Sequence, residues 1–301
     1  MWRILINKVL VVGGTGRLGR FVVEELLRRK IDVKVGVRRG HKARELWGER
    51  VEIVEGDFRK SDVITEGLKD VDVVHINPPS GPRFDEDFEN GVALCQEISK
   101  FASLFPLRRI SLLSGASEIS PQHQFPPVRA KALMEEAIKS SGVPWTIWRA
   151  TWFMEALLNL VRRYFIVQIG RGDIPVRLIA ARDFADMAVR SWTLPQCENK
   201  ILFAMGPELI HYGEALRLMK DILYPRQILI PVPSQWVAFM GRLVGPREAW
   251  YGAQLIKYFQ SIPEVGDPQE TFQLLGTPPT TLRMWLTDLK ASSSTHQAVK
   301  N

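Results

Sequence analysis

Cysteine is almost missing from this chain: Cys95 and Cys197 are the only two in 301 residues. Two thiols exclude a disulfide scaffold and point to buried free cysteines in a reducing compartment, so a cytoplasmic location is expected. Histidine is scarce as well, at five, and no Cys/His spacing matches a zinc site. No apolar run reaches the roughly 20 residues that a membrane-spanning helix needs. Residues 1–12 carry Arg3 and Lys8 beside apolar neighbours, as a signal peptide would. A strand and a glycine turn stand where its cleavage site should lie, so none is expected. Acid is in deficit, with 33 Asp and Glu against 40 Lys and Arg, a net charge of +7. The bases are scattered rather than bunched with aromatics. That pattern argues against a nucleic-acid surface and for a groove that takes an anionic cofactor, set among solvated faces. No internal repeat is visible. With 46% hydrophobic and 24% charged residues, the chain can bury a core of ordinary size.

What is present is concentrated at the start, in KVLVVGGTGRLGRFVVEELLRRK, Lys8 to Lys30. Val9 to Val12 is a continuous aliphatic run, as in a strand buried on both faces. Gly13, Gly14, Gly16 and Gly19 follow at once. Leu18, Phe21, Val22, Leu26 and Leu27 then recur at helical spacing. Strand, glycine turn and helix start together make a phosphate cradle. A turn without Cβ atoms lets backbone amides approach a pyrophosphate, and the helix start adds unpaired N–H groups and a positive dipole end. Gly13, Thr15, Gly16, Arg17, Leu18 and Gly19 are therefore the expected diphosphate contacts.

The next segments alternate strand and helix. Ile31–Arg38, Val51–Gly56, Val71–Asn77, Arg109–Gly115 and Trp145–Ala150 read as strands. Asp85–Phe105 and Val128–Ser140 read as helices. Such alternation predicts a doubly wound, mostly parallel α/β sheet with right-handed crossovers. In a dinucleotide fold, an acidic residue closing the second strand would accept the ribose 2′-hydroxyl of NAD. Arg38 and Arg39 stand there, with Lys42 close by. A guanidinium can fork onto a 2′-phosphate that a carboxylate would repel. The expected cofactor is therefore NADP(H), with Arg17 also within reach of that phosphate. Asn77 ends the fourth strand before a stiff proline turn, on the edge that lines the cofactor crevice. Asp57 could meet the cofactor or cap the next helix. His75, mid-strand, reads as a core histidine.

The glycine turn, GGTGxxG, resembles that of the extended and atypical short-chain dehydrogenase/reductases. Lys131-x3-Glu135, then Ser141-Gly142-Val143-Pro144-Trp145-Thr146-Ile147-Trp148-Arg149, then Phe153-Met154-Glu155, are similar to the NmrA-like group, with Ala150 where proline is usual. The likeness covers about residues 8–203. It implies a Rossmann domain and a smaller C-terminal α/β substrate lobe. The implied division is 1–155, with contributions from about 176–203, then 156–290, then a disordered tail over 291–301. It also implies that Asp57 lies beside the adenine, that Lys131 contacts the cofactor, and that a helix opens at Arg182-Asp183-Phe184-Ala185. From the residues, Asp183 is a suitable N-cap there.

Hydride transfer also needs a proton donor beside the developing oxyanion. Short-chain dehydrogenases use Ser with Tyr-x-x-x-Lys, and Ser114 falls at the serine position. Counting back four from Lys131, the tyrosine position holds Pro127, which has no proton to give. Lys131 is then the expected general acid as well as a cofactor ligand, since a lysine in a desolvated cleft titrates low. Its i,i+4 spacing to Glu135 equally allows an ordinary ion pair. His123 is a weaker donor candidate. The expected activity is NADPH-dependent reduction of a small carbonyl, quinone or activated alkene. The alternatives are a redox sensor or assembly factor that binds cofactor without turnover, and a sugar-nucleotide epimerase or dehydratase, which Pro127 disfavours. Trp236–Val244 and Trp250–Phe259 read as apolar helices, and Trp285 and Leu286 lie in a last short helix. The expected partner is a small-molecule substrate; oligomeric state is open.

Overall fold

The structure is a computed structural model, describing residues 5–79, 84–116, 125–243, 258 and 265–298. His123 and most of the 250–259 stretch lie outside the described residues. The backbone divides into two compact units. The first draws on Met1–Ala150, Phe184–Ala204 and Asp267–Gly276, and the second on Thr151–Asp183, Met205–Gly266 and Thr277–Asn301.

The first unit is one seven-stranded parallel sheet. Its strands are β1 (Lys8–Val12), β2 (Asp32–Val37), β3 (Glu52–Glu55), β4 (Val73–Ile76), β5 (Arg109–Gly115), β6 (Trp145–Ala150) and β9 (Lys200–Ala204), in spatial order β3-β2-β1-β4-β5-β6-β9. The expected doubly wound Rossmann sheet is thus what forms. Order reverses between β1 and β4, and a reversal leaves a crevice at the carboxyl ends of those strands. Val9, Leu10 and Val11 are fully buried, as a strand with helices over both faces requires. The crossovers are α1 (Gly19–Arg28), α2 (His41–Trp47), α3 (Ser61–Leu68), α4 (Phe84–Ala102), α5 (Pro126–Lys139) and α6 (Ala181–Ser191). Pro126 and Pro127 sit in the first turn of α5, where a missing N–H costs nothing.

The second unit is built on smaller pieces. A 3-10 turn spans Met154–Leu160; β7 (Phe165–Ile169) pairs in parallel with β11 (Ile228–Val232), and β8 (Pro175–Val176) pairs antiparallel with β10 (Ile210–His211). Helix α7 (Tyr212–Leu223) packs on α10 (Leu282–Ala298); α8 (Ser234–Leu243) follows β11. A further helix, α9 (Gln269–Leu275), belongs to the first unit.

Several expectations need correction. The first unit ends at Ala150 rather than 155, because Met154 and Leu157 are buried in the second unit's core with Ile166, Tyr212, Leu216 and Trp285. Residues 267–276 join the first unit, where Thr271 Oγ1 accepts the Phe203 N–H of β9 at 3.0 Å. The final helix is 17 residues long and runs through Ala291 to Ala298, where a disordered tail was expected. No glycine or proline interrupts it, and extending an existing helix needs no new nucleus. Asp183 is not an N-cap. It lies inside α6, and its carboxylate accepts the Thr280 N–H at 2.9 Å and hydroxyl at 2.8 Å. The α6 start is closed by Glu155, whose carboxylate accepts the Ala181 N–H at 3.1 Å.

One buried charge ties the sheet edge together. Arg109 is fully buried; its guanidinium donates to Thr146 Oγ1 at 2.8 Å and to Glu198 Oε1 at 2.9 Å. Losing Glu198, itself a third exposed, strands a fully buried charge, whereas losing Arg109 leaves a carboxylate that water can reach. Glu198→Ala should therefore lower the unfolding free energy by about 3 kcal/mol in urea titration, and Arg109→Met by less. A larger loss for Arg109→Met would contradict this account.

Candidate functional site

The carboxyl ends of the strands gather the candidate residues. Gly13 follows β1, with its N–H on Gly36 O at 2.9 Å, and the Asn77 N–H after β4 reaches Val12 O at 3.0 Å. The turn between them has room only for glycine. Gly13 has φ +76°, and a Cβ there would stand 2.5 Å from Asn77 O. A Cβ on Gly19 would stand 2.4 Å from Gly13 O, and one on Gly16 3.0 Å from the same oxygen. Leu18 is the N-cap of α1; it offers no capping side chain, and the first turn carries no acid. The Arg20 and Phe21 N–H groups turn back to Gly16 O at 3.3 Å and Leu18 O at 3.0 Å, and the positive end of the helix dipole is left without an acid. Both amide atoms of Asn77 are buried and meet no partner at hydrogen-bonding geometry. An orphaned amide beside a Cβ-free turn is what a bound ligand would complete. These residues fit the diphosphate of a dinucleotide.

The bases fall beside that cradle. Arg17, Arg38 and Arg39 are exposed and form no ion pair among the described residues. Lys42 Nζ donates to Thr15 O at 2.9 Å, tying the start of α2 to the glycine turn. Asp57 is neither an N-cap nor free. Arg59 holds both its oxygens, at 2.9 Å from Nε to Oδ1 and 2.6 Å from Nη2 to Oδ2. That clamp pulls the Asp57 carboxyl below its usual range. His75 is a core histidine as expected, with Nδ1 2.9 Å from Ser111 Oγ and burial driving its pKa down to about 3.

Beyond β5 lies a second group. Glu135 on α5, 1% exposed, takes Arg149 Nη2 at 2.8 Å and Nε at 3.1 Å, and accepts the Ser114 hydroxyl at 2.7 Å. The i,i+4 pair with Lys131 does not form; the bidentate guanidinium from β6 takes the carboxylate instead. Lys131 is left without a salt-bridge partner among the described residues. Its Nζ lies over the end of β5, where a Cβ on Gly115 would be 2.1 Å away. Surrounding protein strips water from the amine and lowers its pKa to about 8, against an upward pull from the Glu135 charge. Ser114 is buried, and its one proton is committed to Glu135. Gly115 was missed as a site residue, although the Ser-Gly pair closing a strand was a signal for it. Pro127 is buried in the first turn of α5, so no hydroxyl stands four residues before Lys131. Among the described residues, no group of three side chains could hold a metal.

A family model described as NAD(P)H-binding matches residues 13–193. The chain belongs to this NAD(P)H-binding family. The NAD(P)-binding family resemblance read from the sequence is thereby borne out, and NAD(P)H is the cofactor that the glycine turn, Asn77 and the α1 start accommodate. Among curated relatives, an NAD(P)H azoreductase of Xenophilus azovorans is 29% identical over 211 residues, covering 68% of this chain and 70% of the relative. A photosystem II assembly factor of Guillardia theta is 26% identical over 251 residues, covering 79% and 77%. Among solved structures, the Citrobacter sp. triphenylmethane reductase complexed with NADP(H) superposes with a TM-score of 0.75 at 18% identity, covering 94% of this chain and 99% of that one. It is a likeness of fold.

In this NAD(P)H-binding protein, Gly19→Ala should force Cβ into Gly13 O and reshape the turn. Fluorescence titration with NADPH should show at least about tenfold weaker binding, with a stability loss of about 1–3 kcal/mol. Unchanged affinity would mean that the cofactor does not sit against this turn.

Proposed function

We propose that the protein is an NADPH-dependent reductase of a small carbonyl, quinone or activated alkene, with Lys131 as its proton donor. The observation that carries this reading is the placement of the Lys131 amine. It lies over Gly115 at the end of β5, partly desolvated, while Arg149 and Ser114 occupy the carboxylate that could have neutralised it. When bound, the cofactor supplies a hydride from its nicotinamide ring. Lys131 supplies the matching proton from Nζ to the substrate atom that gains electron density, and regains it from solvent. Ser114 is a positioning residue: through Glu135 it helps hold α5, and with it Lys131, against β5. Names of relatives that reduce azo compounds and triphenylmethane dyes agree with this chemical class.

Preference for NADP(H) over NAD(H) rests on Arg38 and Arg39, exposed after β2 where an acid would otherwise meet the 2′-hydroxyl. Asp57, held by Arg59, faces the adenine in this reading. A second reading, a cofactor-binding sensor or assembly factor without turnover, is favoured by one observation: Pro127 removes the customary tyrosine. The similarity to a photosystem II assembly factor is consistent with it.

Steady-state oxidation of NADPH with a panel of quinones, enals and azo dyes separates the two. Turnover is expected with at least one class, and Lys131→Ala should lower kcat/KM by about a hundredfold or more while NADPH affinity changes far less. Because the donor must be protonated and its pKa is about 8, kcat/KM should fall as pH rises through that value. A flat profile would remove Lys131 from the role. Arg38→Ala should weaken NADPH binding by about tenfold or more and leave NADH binding unchanged, since a charge-assisted hydrogen bond is worth about 1.5–3 kcal/mol. Equal losses for both nucleotides would refute the 2′-phosphate contact.

A further inference from the structure

In the second unit, β7 and β11 form a pair with two unlike environments and one chemistry. Ile166 is fully buried and Leu229 packs on the unit's core, so the register pairs Phe165–Ile228 and Val167–Ile230 lie on the opposite face. That face is apolar, yet Phe165 is 37%, Ile228 66% and Ile230 38% exposed, and Tyr164 just before the strand is 66% exposed. A strand with one wet face normally alternates apolar with polar. A contiguous exposed apolar face marks something that docks there. Trp236 and Phe239, three residues apart on α8, are exposed too.

Along the chain, the segments that carry these two strands are basic, with acids only beyond their ends, as at Glu155, Asp173 and Asp221. Residues 156–172 and 222–243 contain no Asp or Glu, while they contain Arg162, Arg163, Arg171, Arg226 and Arg242. Arg171 is paired with Asp173. Arg162, Arg163 and Arg226 form no ion pair among the described residues, and the Arg163 guanidinium lies 5.0 Å from the centre of the Tyr164 ring. The Ile228 N–H bonds Tyr164 O at 3.3 Å, which brings the basic-aromatic run 162–165 beside the run 224–228.

We infer that the outer face of β7 and β11 is a docking surface for an anionic lipid bilayer. Tyr164, Phe165, Ile228 and Ile230 enter the headgroup–acyl boundary, and Arg162, Arg163 and Arg226 meet lipid phosphates. Aromatic and aliphatic side chains flanked at one end by arginines without acidic partners are the chemistry such a surface selects, and Arg162 Nη1 meanwhile donates to Asn159 O at 2.7 Å. A second copy of this chain fits less well, because a two-fold contact sets the same arginines against each other with no acid in either strand to answer them. The inference stands apart from the reductase reading and uses none of its residues.

Sedimentation of the full chain with vesicles tests it. Vesicles of mixed phosphatidylglycerol and phosphatidylcholine should carry the protein down at low salt, and high salt should release it. Phosphatidylcholine alone should not bind it. Ile228→Asp should lower the partition coefficient by about tenfold or more, and Arg163→Gln with Arg226→Gln by about thirtyfold, at roughly 1 kcal/mol for each arginine near an anionic surface. NADPH titration of each variant should be unchanged, which shows that it is folded; if Ile228→Asp fails that check, the arginine pair and Ile230→Ser carry the comparison. The inference is overturned by no partition into anionic vesicles or by equal binding to neutral ones. It is overturned as well by light scattering that shows a dimer which Ile228→Asp dissociates, for then the face belongs to a second copy.

Discussion

The structure depends on how closely two backbones meet at the reversal of strand order. The carboxyl ends of β1 and β4 come together so that the Asn77 carbonyl occupies the space of any side chain at Gly13, and the Gly13 carbonyl excludes one at Gly19. Glycine is needed there because of contact as well as φ. The same crowding aims the start of α1, which carries no acid, at the end of the sheet. Asn77, on the other side of that contact, keeps a buried amide that interacts with His75 and meets no partner at full hydrogen-bonding geometry. A fold that leaves donors and acceptors unsatisfied at one point is organised around a ligand at that point.

A second constraint acts through Glu135. A carboxylate this deeply buried must be answered, and the closest answer comes from β6, with Lys139 of its own helix farther off at 3.8 Å. Arg149 forks onto it and Ser114 adds a third hydrogen bond, so α5, β5 and β6 are held at one node. The consequence for Lys131 is electrostatic: Glu135 still attracts its proton from a distance, but desolvation dominates and the amine titrates low. The lysine is thus tuned by a pair to which it does not belong. In the second unit a different asymmetry holds. Glu155 closes α6 and Asp183 holds Thr280, so acids of this unit are used inside the fold, while β7 and β11 keep apolar faces and arginines without acids.

Legibility followed the range of the interactions. The first strand, glycine turn and helix, and the strands Arg109–Gly115 and Trp145–Ala150 could be read because burial periodicity is local. Strands β7 and β11 went unread; their apolar residues on both faces carry no alternation. The tail looked unstructured because its serines and threonines are weak helix formers, yet helix propagates from the buried turn around Trp285 and Leu286. Asp183 had the composition of a cap and served another purpose, since a loop far along the chain brought Thr280 to it.

The sequence by itself determined the cofactor cradle and the parallel sheet, because glycine spacing and aliphatic runs act on near neighbours and need no partner from afar. It also determined that no tyrosine stands at position 127. Only the tertiary structure decided which carboxylate each base would meet: Arg149 took Glu135, Arg109 took Glu198, and Lys131 was left over Gly115. The physical reason is that an ion pair depends on distance and burial in three dimensions, and residues separated by a whole crossover come into contact only once the sheet has formed.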